Sequence, residues 1–137
     1  MIKNPRHIAL NVLVSWHNSS QNLDKSMENL SLEISSLAKN DRNLCNALIF
    51  GVLRHRGSID WTLSTFSKTP LGKINITLLY LLRIALFQIQ YMDRVPAFAA
   101  INTTVDIAKK LLGKKAAGFI NAVLRNAADN FSKVAFP

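Results

Sequence analysis

The chain has 137 residues, 49% of them hydrophobic, with 17 Lys and Arg against 8 Asp and Glu, for a net charge of +9 and a pI near 10.1. That length makes one domain able to bury about two thirds of its unfolded surface, and the hydrophobic share excludes a disordered basic tail. The charge favours a polyanionic partner, nucleic acid or an anionic membrane surface, while a single cysteine, Cys45, excludes an internal disulfide or a structural zinc site and fits a reducing cytoplasm.

Helical spacing recurs throughout. Asn4 is an N-cap and Pro5 a first-turn residue for a helix over about 5–17, with Ile8, Ala9, Val12, Leu13 and Trp16 on its buried face. This stretch is amphipathic, unlike the continuous apolar core of a signal peptide. After a polar connector, Leu23, Met27, Leu30, Ile34 and Leu37 predict one helix over about 24–37. Asn40 and Asp41 open a third, with Leu44, Cys45, Leu48, Ile49, Val52 and Leu53 facing inward. Gly57 is placed to bend or break it. A further apolar set follows at Ile59, Leu63 and Phe66, and then a turn at 69–72.

From Ile74 to Met92 the only charge is Arg83, which imitates a membrane span. Asn75, Thr77, Gln88 and Gln90 are costly in lipid, so a central helix over about 73–91, surrounded by other helices, is the expected reading. Pro96 starts the next helix, with Ala97, Ile101, Val105, Ala108 and Leu112 in line and Gly113 as its stop. In the last helix Ala116, Phe119, Ile120, Val123, Leu124, Ala127, Ala128 and Phe131 form the stripe. No alternating strand pattern and no repeat is present.

No catalytic constellation stands out. The carboxylates are scattered, and His7, His17 and His55 lack metal-site spacing. Cys45, on an apolar face, reads as a buried structural thiol. The basic residues are better organised. Lys109, Lys110, Lys114 and Lys115 surround one interhelical loop, where a helix N-terminus also favours anions. Lys3, Arg6 and His7 form a second group, and Arg54, His55 and Arg56 a possible additional surface. Phe119 is the aromatic best placed to meet an unpaired base, although its stripe position favours core packing.

Several stretches carry a family resemblance: Asp41-Arg42, Phe50 to Arg54, Ile59-Asp60-Trp61, Leu81 to Ile89, Val95-Pro96, Ala99 to Asn102 with Val105 and Ala108-Lys109, and Gly118 to Arg125. Together they resemble the NusB family. More closely, they resemble the NusB-like N-terminal domain of the bacterial 16S ribosomal RNA cytosine-5 methyltransferases (RsmB, also called Sun or Fmu). The resemblance implies an all-α bundle of about six to seven helices in two three-helix units, with no sheet, as a single domain over 1–137.

The resemblance also implies a cytoplasmic, non-catalytic RNA-binding domain. It would dock 16S rRNA for a catalytic domain that follows residue 137 and uses S-adenosylmethionine and two cysteines. RNA and that methyltransferase domain would be its partners, with no cofactor in this chain and no metal or membrane. One alternative is a NusB-type antitermination factor binding leader RNA and a ribosomal protein. Another is a protein–protein module without RNA affinity. In NusB the arginine-rich first helix and the entrance to the last helix touch RNA. Here Arg6 and His7 remain of the first pattern, and Lys114-Lys115 stand at the second. Asn102 and Asn121 are expected as buried amides bridging backbone groups. Arg83 needs an acidic partner, for which Asp41, Asp60 and Asp106 are candidates.

Overall fold

A computed structural model describes residues 3–130 of the chain. They form eight α-helices and, among the described residues, no strand. The first, α1 (Pro5–Asn18), starts as its sequence directs: Asn4 Oδ1 accepts from the backbone N–H of Arg6 at 2.9 Å and of His7 at 3.4 Å. The stretch expected as one helix over 24–37 is two short ones, α2 (Leu23–Asn29) and α3 (Ser31–Ser36). Leu30 breaks them with φ −113° and ψ 20°, its N–H turning back to Met27 at 3.1 Å. Asn29 and Ser31 flank that break, and such side chains compete with the helical backbone. The apolar stripe runs across the break, so periodicity alone did not reveal it.

The third stretch is α4 (Lys39–Arg54), followed by α5 (Arg56–Phe66). The chain turns at His55, two residues before Gly57, which has open space where a Cβ would lie. The 3-10 turn Leu71–Lys73 precedes α6 (Ile76–Tyr91), so α6 starts three residues later than expected. Asn75 supplies its cap, accepting from Thr77 N and Leu78 N. Pro96 is the residue just before α7 (Ala97–Leu112). Gly113 ends α7 at φ 97°, a conformation that favours glycine, and its N–H is shared between the Ala108 and Lys109 carbonyls. Lys114–Asn130 is α8.

Two units result. In the first, α1 packs on α2, α3 and α4; in the second, α7 packs on α8, with α5 alongside. α6 lies between them and touches α1, α4, α5, α7 and α8. Every residue from Leu79 to Gln88 is buried, as a central helix requires. Each fully buried Leu or Ile there contributes roughly 1.5–3 kcal/mol. No helix among the described residues is long and apolar enough to cross a membrane.

Two polar devices hold α6. His17 Nδ1 meets the Tyr80 hydroxyl at 3.0 Å and fixes the end of α1. Arg83 donates from Nε and Nη2 to the two Asp60 carboxylate oxygens, both at 2.9 Å, which selects Asp60 among the three candidates. Its guanidinium also lies 4.8 Å from the Tyr80 ring centroid.

On α8 the buried residues are Ala117, Ile120, Val123, Leu124 and Ala127. Ala117 thus takes the place expected for Ala116, which is only half-buried, and Phe131 lies outside the described residues. Leu112, expected in the α7 stripe, is exposed.

Candidate nucleic-acid interface

The α7–α8 corner follows from one glycine. Gly113 reverses the chain, so the last turn of α7 and the first turn of α8 meet with Lys109, Lys110, Lys114 and Lys115 all exposed. Lys109 and Lys114 border one shallow hollow of about 380 Å³ with Val105, Ala117, Gly118 and Asn121. The free backbone N–H groups in the first turn of α8 add partial positive charge there.

Lys110 points to the other side of α7. There it lines a cavity of about 360 Å³ with Asn4, His7, Thr103, Asp106 and Ile107. Burial and, secondarily, the Lys110 ammonium push the His7 imidazole below its ordinary pKa. Two basic groups far apart in the sequence, the start of α1 and the end of α7, thus meet at one cavity. Asn4, Thr103 and Asp106, which the sequence did not single out as site residues, complete its lining. Thr103, Asp106, Ile107 and Lys110 recur at i, i+3, i+4 and i+7, so they share one face of α7. That signal is readable; the helix that faces it is not. Asp106 is an acid beside Lys110, able to accept from the amino or imino groups of a base but not from a phosphate.

The remaining site residues are placed differently. Arg6 is half-buried, and its Nε donates to Gln88 Oε1 at 2.8 Å, fastening α1 to α6. Burial lowers its guanidinium pKa, against an opposing pull from Asp41. It lines neither hollow. Lys3 is exposed beside Asn4. Arg54 and Arg56 are exposed at the α4–α5 junction, while His55 between them turns inward onto aromatic rings.

Asn102 and Asn121 are not buried backbone bridges. Asn121 Oδ1 accepts from Arg125 Nε at 2.9 Å, and Asn102 Oδ1 lies 3.5 Å from Arg125 Nη2, so the two amides tie α7 to α8 through an exposed arginine. Their positions along α7 and α8 leave them outside the core. Phe119 is half-buried, lining an apolar hollow of about 380 Å³ with Phe66, Ala122 and Val123. Cys45 is fully buried, and burial pushes its thiol up to about 11. Among the described residues no three His, Cys, Asp or Glu side chains are grouped to hold a metal ion.

The fold and this surface define an all-helical domain of two units about a buried helix, with a basic corner beside a polar cavity. The chain belongs to the NusB family, which it matches over residues 3–129. It is 36% identical over 109 residues to the transcription antitermination protein NusB of Ligilactobacillus salivarius, covering 77% of this chain and 82% of that protein. It is 31% identical over 121 residues to the probable ribosomal RNA small subunit methyltransferase B of Bacillus subtilis, covering 88% of this chain and 27% of that protein. The chain spans about a quarter of the length of the methyltransferase relatives it matches. Its fold is that of a chain in a crystal structure of the antitermination factors NusB and NusE in complex with dsRNA. There the TM-score is 0.82 at 20% identity, covering 92% of this chain and 94% of that one.

Proposed function

We propose that this chain is a NusB-type RNA-binding protein of transcription antitermination. One observation carries the RNA reading: the start of α1 and the end of α7, separate in sequence, converge at His7 and Lys110 on a polar cavity, and Lys109 and Lys114 border a second hollow at the same α7–α8 corner. Lys109, Lys110, Lys114 and Lys115 hold phosphates, with Lys3 nearby. Asn4, Thr103 and Asp106 present acceptors and donors to the edge of one unpaired base, the part of RNA that carries sequence. NusB relatives aligned over most of their own length support antitermination as the setting; in this reading leader RNA and a ribosomal protein are the partners, in the cytoplasm.

A second reading has specific support in the 31% identity to a methyltransferase relative. In it the chain docks 16S rRNA for a following S-adenosylmethionine-dependent domain. Cytosine C5 methylation needs a thiolate nucleophile. Cys45 cannot supply it, being buried with a raised pKa. The described residues also offer no strand followed by a glycine-rich turn to hold the cofactor. Transfer in this reading therefore belongs entirely to another domain.

The test is fluorescence anisotropy with leader and 16S RNA fragments over a salt series. Replacing Lys114 and Lys115 together with Gln should weaken binding to all fragments similarly. It should also lower the slope of log K against log salt by about 1.4, at roughly 0.7 per single-strand phosphate. Asp106→Asn should instead change the ranking among sequences. Affinity unaltered by the lysine replacements at low salt would return the corner to an ordinary solvated face. Absence of any RNA binding would leave a protein–protein module.

A further inference from the structure

We propose that the α4–α5 junction is a second contact for single-stranded nucleic acid, in which Tyr91 receives a base and Arg54 and Arg56 hold the adjoining phosphates. This extends the RNA reading above, but to a separate surface. Tyr91 ends α6, ahead of α7, and the lysine corner lies at the far end of α7, a helix of 16 residues or about 24 Å.

The platform is built from α4 and α6. Gly51 lacks the Cβ that would run into the Phe87 ring, so Phe87 lies directly on α4. Tyr91 follows Phe87 by one helical turn, and His55 follows Gly51 by one turn. The four positions therefore meet. The His55 and Tyr91 rings stack at 4.0 Å with an 18° interplanar angle, and Phe87 stacks beside both at 6.0 and 5.7 Å. Ser58 Oγ hydrogen-bonds the Tyr91 hydroxyl and holds the ring in place. Tyr91 nevertheless keeps 40% of its surface open, and Phe50, one turn before Arg54, keeps 51%.

A ring held in place yet half open matches the flat face of a base. Charge points the same way. No Asp or Glu occurs between Asp41 and Asp60, and Asp60 is engaged by Arg83. Arg54 and Arg56 are exposed and form no ion pair among the described residues. Asp93 and Arg94, beside Tyr91 in the sequence, offset one another. The result is an aromatic face flanked by uncompensated guanidinium groups, as single-strand binding requires.

The experiment is ultraviolet cross-linking of the chain to an oligouridylate of about 12 nucleotides, within the usual single-strand site sizes, carrying 5-iodouridine, with adducts mapped by mass spectrometry. Adducts on Tyr91 or His55 are expected in addition to any near the lysine corner. Tyr91→Ala should lower affinity about fivefold or more, as loss of one base stack does, whereas Tyr91→Phe should retain it. Because Tyr91→Ala also removes the Ser58 bond, Arg54→Gln with Arg56→Gln is the second variant. It should lower the salt slope by about 1.4, and should do so in the Lys114→Gln, Lys115→Gln background too. Adducts confined to the corner, with affinity unchanged in both variants, would overturn this proposal and leave the corner's role standing. So would a Tyr91→Ala change in sedimentation coefficient without a change in RNA affinity, which would make the patch a protein interface.

Discussion

Asp60→Asn removes one member of the pair that holds the only charge on α6. Arg83 is 8% exposed at its side chain and Asp60 29%, and two charge-assisted bonds of 2.9 Å join them. Breaking a buried pair by removing one partner costs about 3–5 kcal/mol. Partial exposure of Asp60 lets water replace some of the loss, which brings the expected cost to about 2–3 kcal/mol. Arg83 Nη1 already lacks a partner, so the guanidinium has no spare bond to fall back on. At about 3 °C per kcal/mol for a domain of this size, the thermal midpoint should fall by about 6–9 °C. The effect is asymmetric. Arg83→Met leaves a carboxylate that can turn to water, and should cost about half as much. Differential scanning calorimetry of both variants checks the reasoning. If Arg83→Met proved as damaging as Asp60→Asn or more so, the stranded-charge argument would be refuted.

Gly51→Ala gains helix propensity worth about 1 kcal/mol but drives a methyl into Phe87. The overpacking should win by about 1–2 kcal/mol. Urea denaturation should show the loss and its recovery when Phe87→Leu is added. His7 should titrate below about 6.5 in NMR, and Lys110→Gln should raise its midpoint. Since the folded pKa is the lower one, the neutral imidazole's share of stability is complete above about 6.5 and is lost as pH falls through the folded value. Cys45, with its thiol near 11 and its side chain enclosed, should react with a disulfide reagent only when the chain opens. Rapid full modification at neutral pH would contradict its burial.

The helices were legible where apolar spacing and caps agree, as at Asn4-Pro5, Gly113 and the unbroken apolar run of α6. The break at Leu30 was not, because the stripe of Leu23, Met27, Leu30 and Ile34 continues across it and the backbone turn costs no apolar contact. The need of Arg83 for a carboxylate was legible from its setting, but the choice of Asp60 depends on how α5 crosses α6. The lysine corner was visible as a charge cluster; its union with His7 depends on α1 meeting α7, which no local pattern encodes. Arg6 shows the converse. Its charge suggested a surface role, yet the bond to Gln88 makes it a fastener. The stack of His55, Phe87 and Tyr91 escaped notice because its members are spread over two helices, and glycine at 51 signals close approach only once the partner is known.

The position of α6 has a consequence for the order in which the chain acquires structure during synthesis. α1 and α4 emerge first, yet the helix that covers both ends at Tyr91. They can pack on each other and on α2 and α3 at once, but the faces that α6 covers stay open while Arg56 through Tyr91 are made, a few seconds at about 5–20 residues per second. The bond between Arg6 and Gln88 spans 82 positions. The first-made half therefore cannot complete its core by itself. The arrival of α6 closes the first unit, and the second closes only once α7 and α8 have followed.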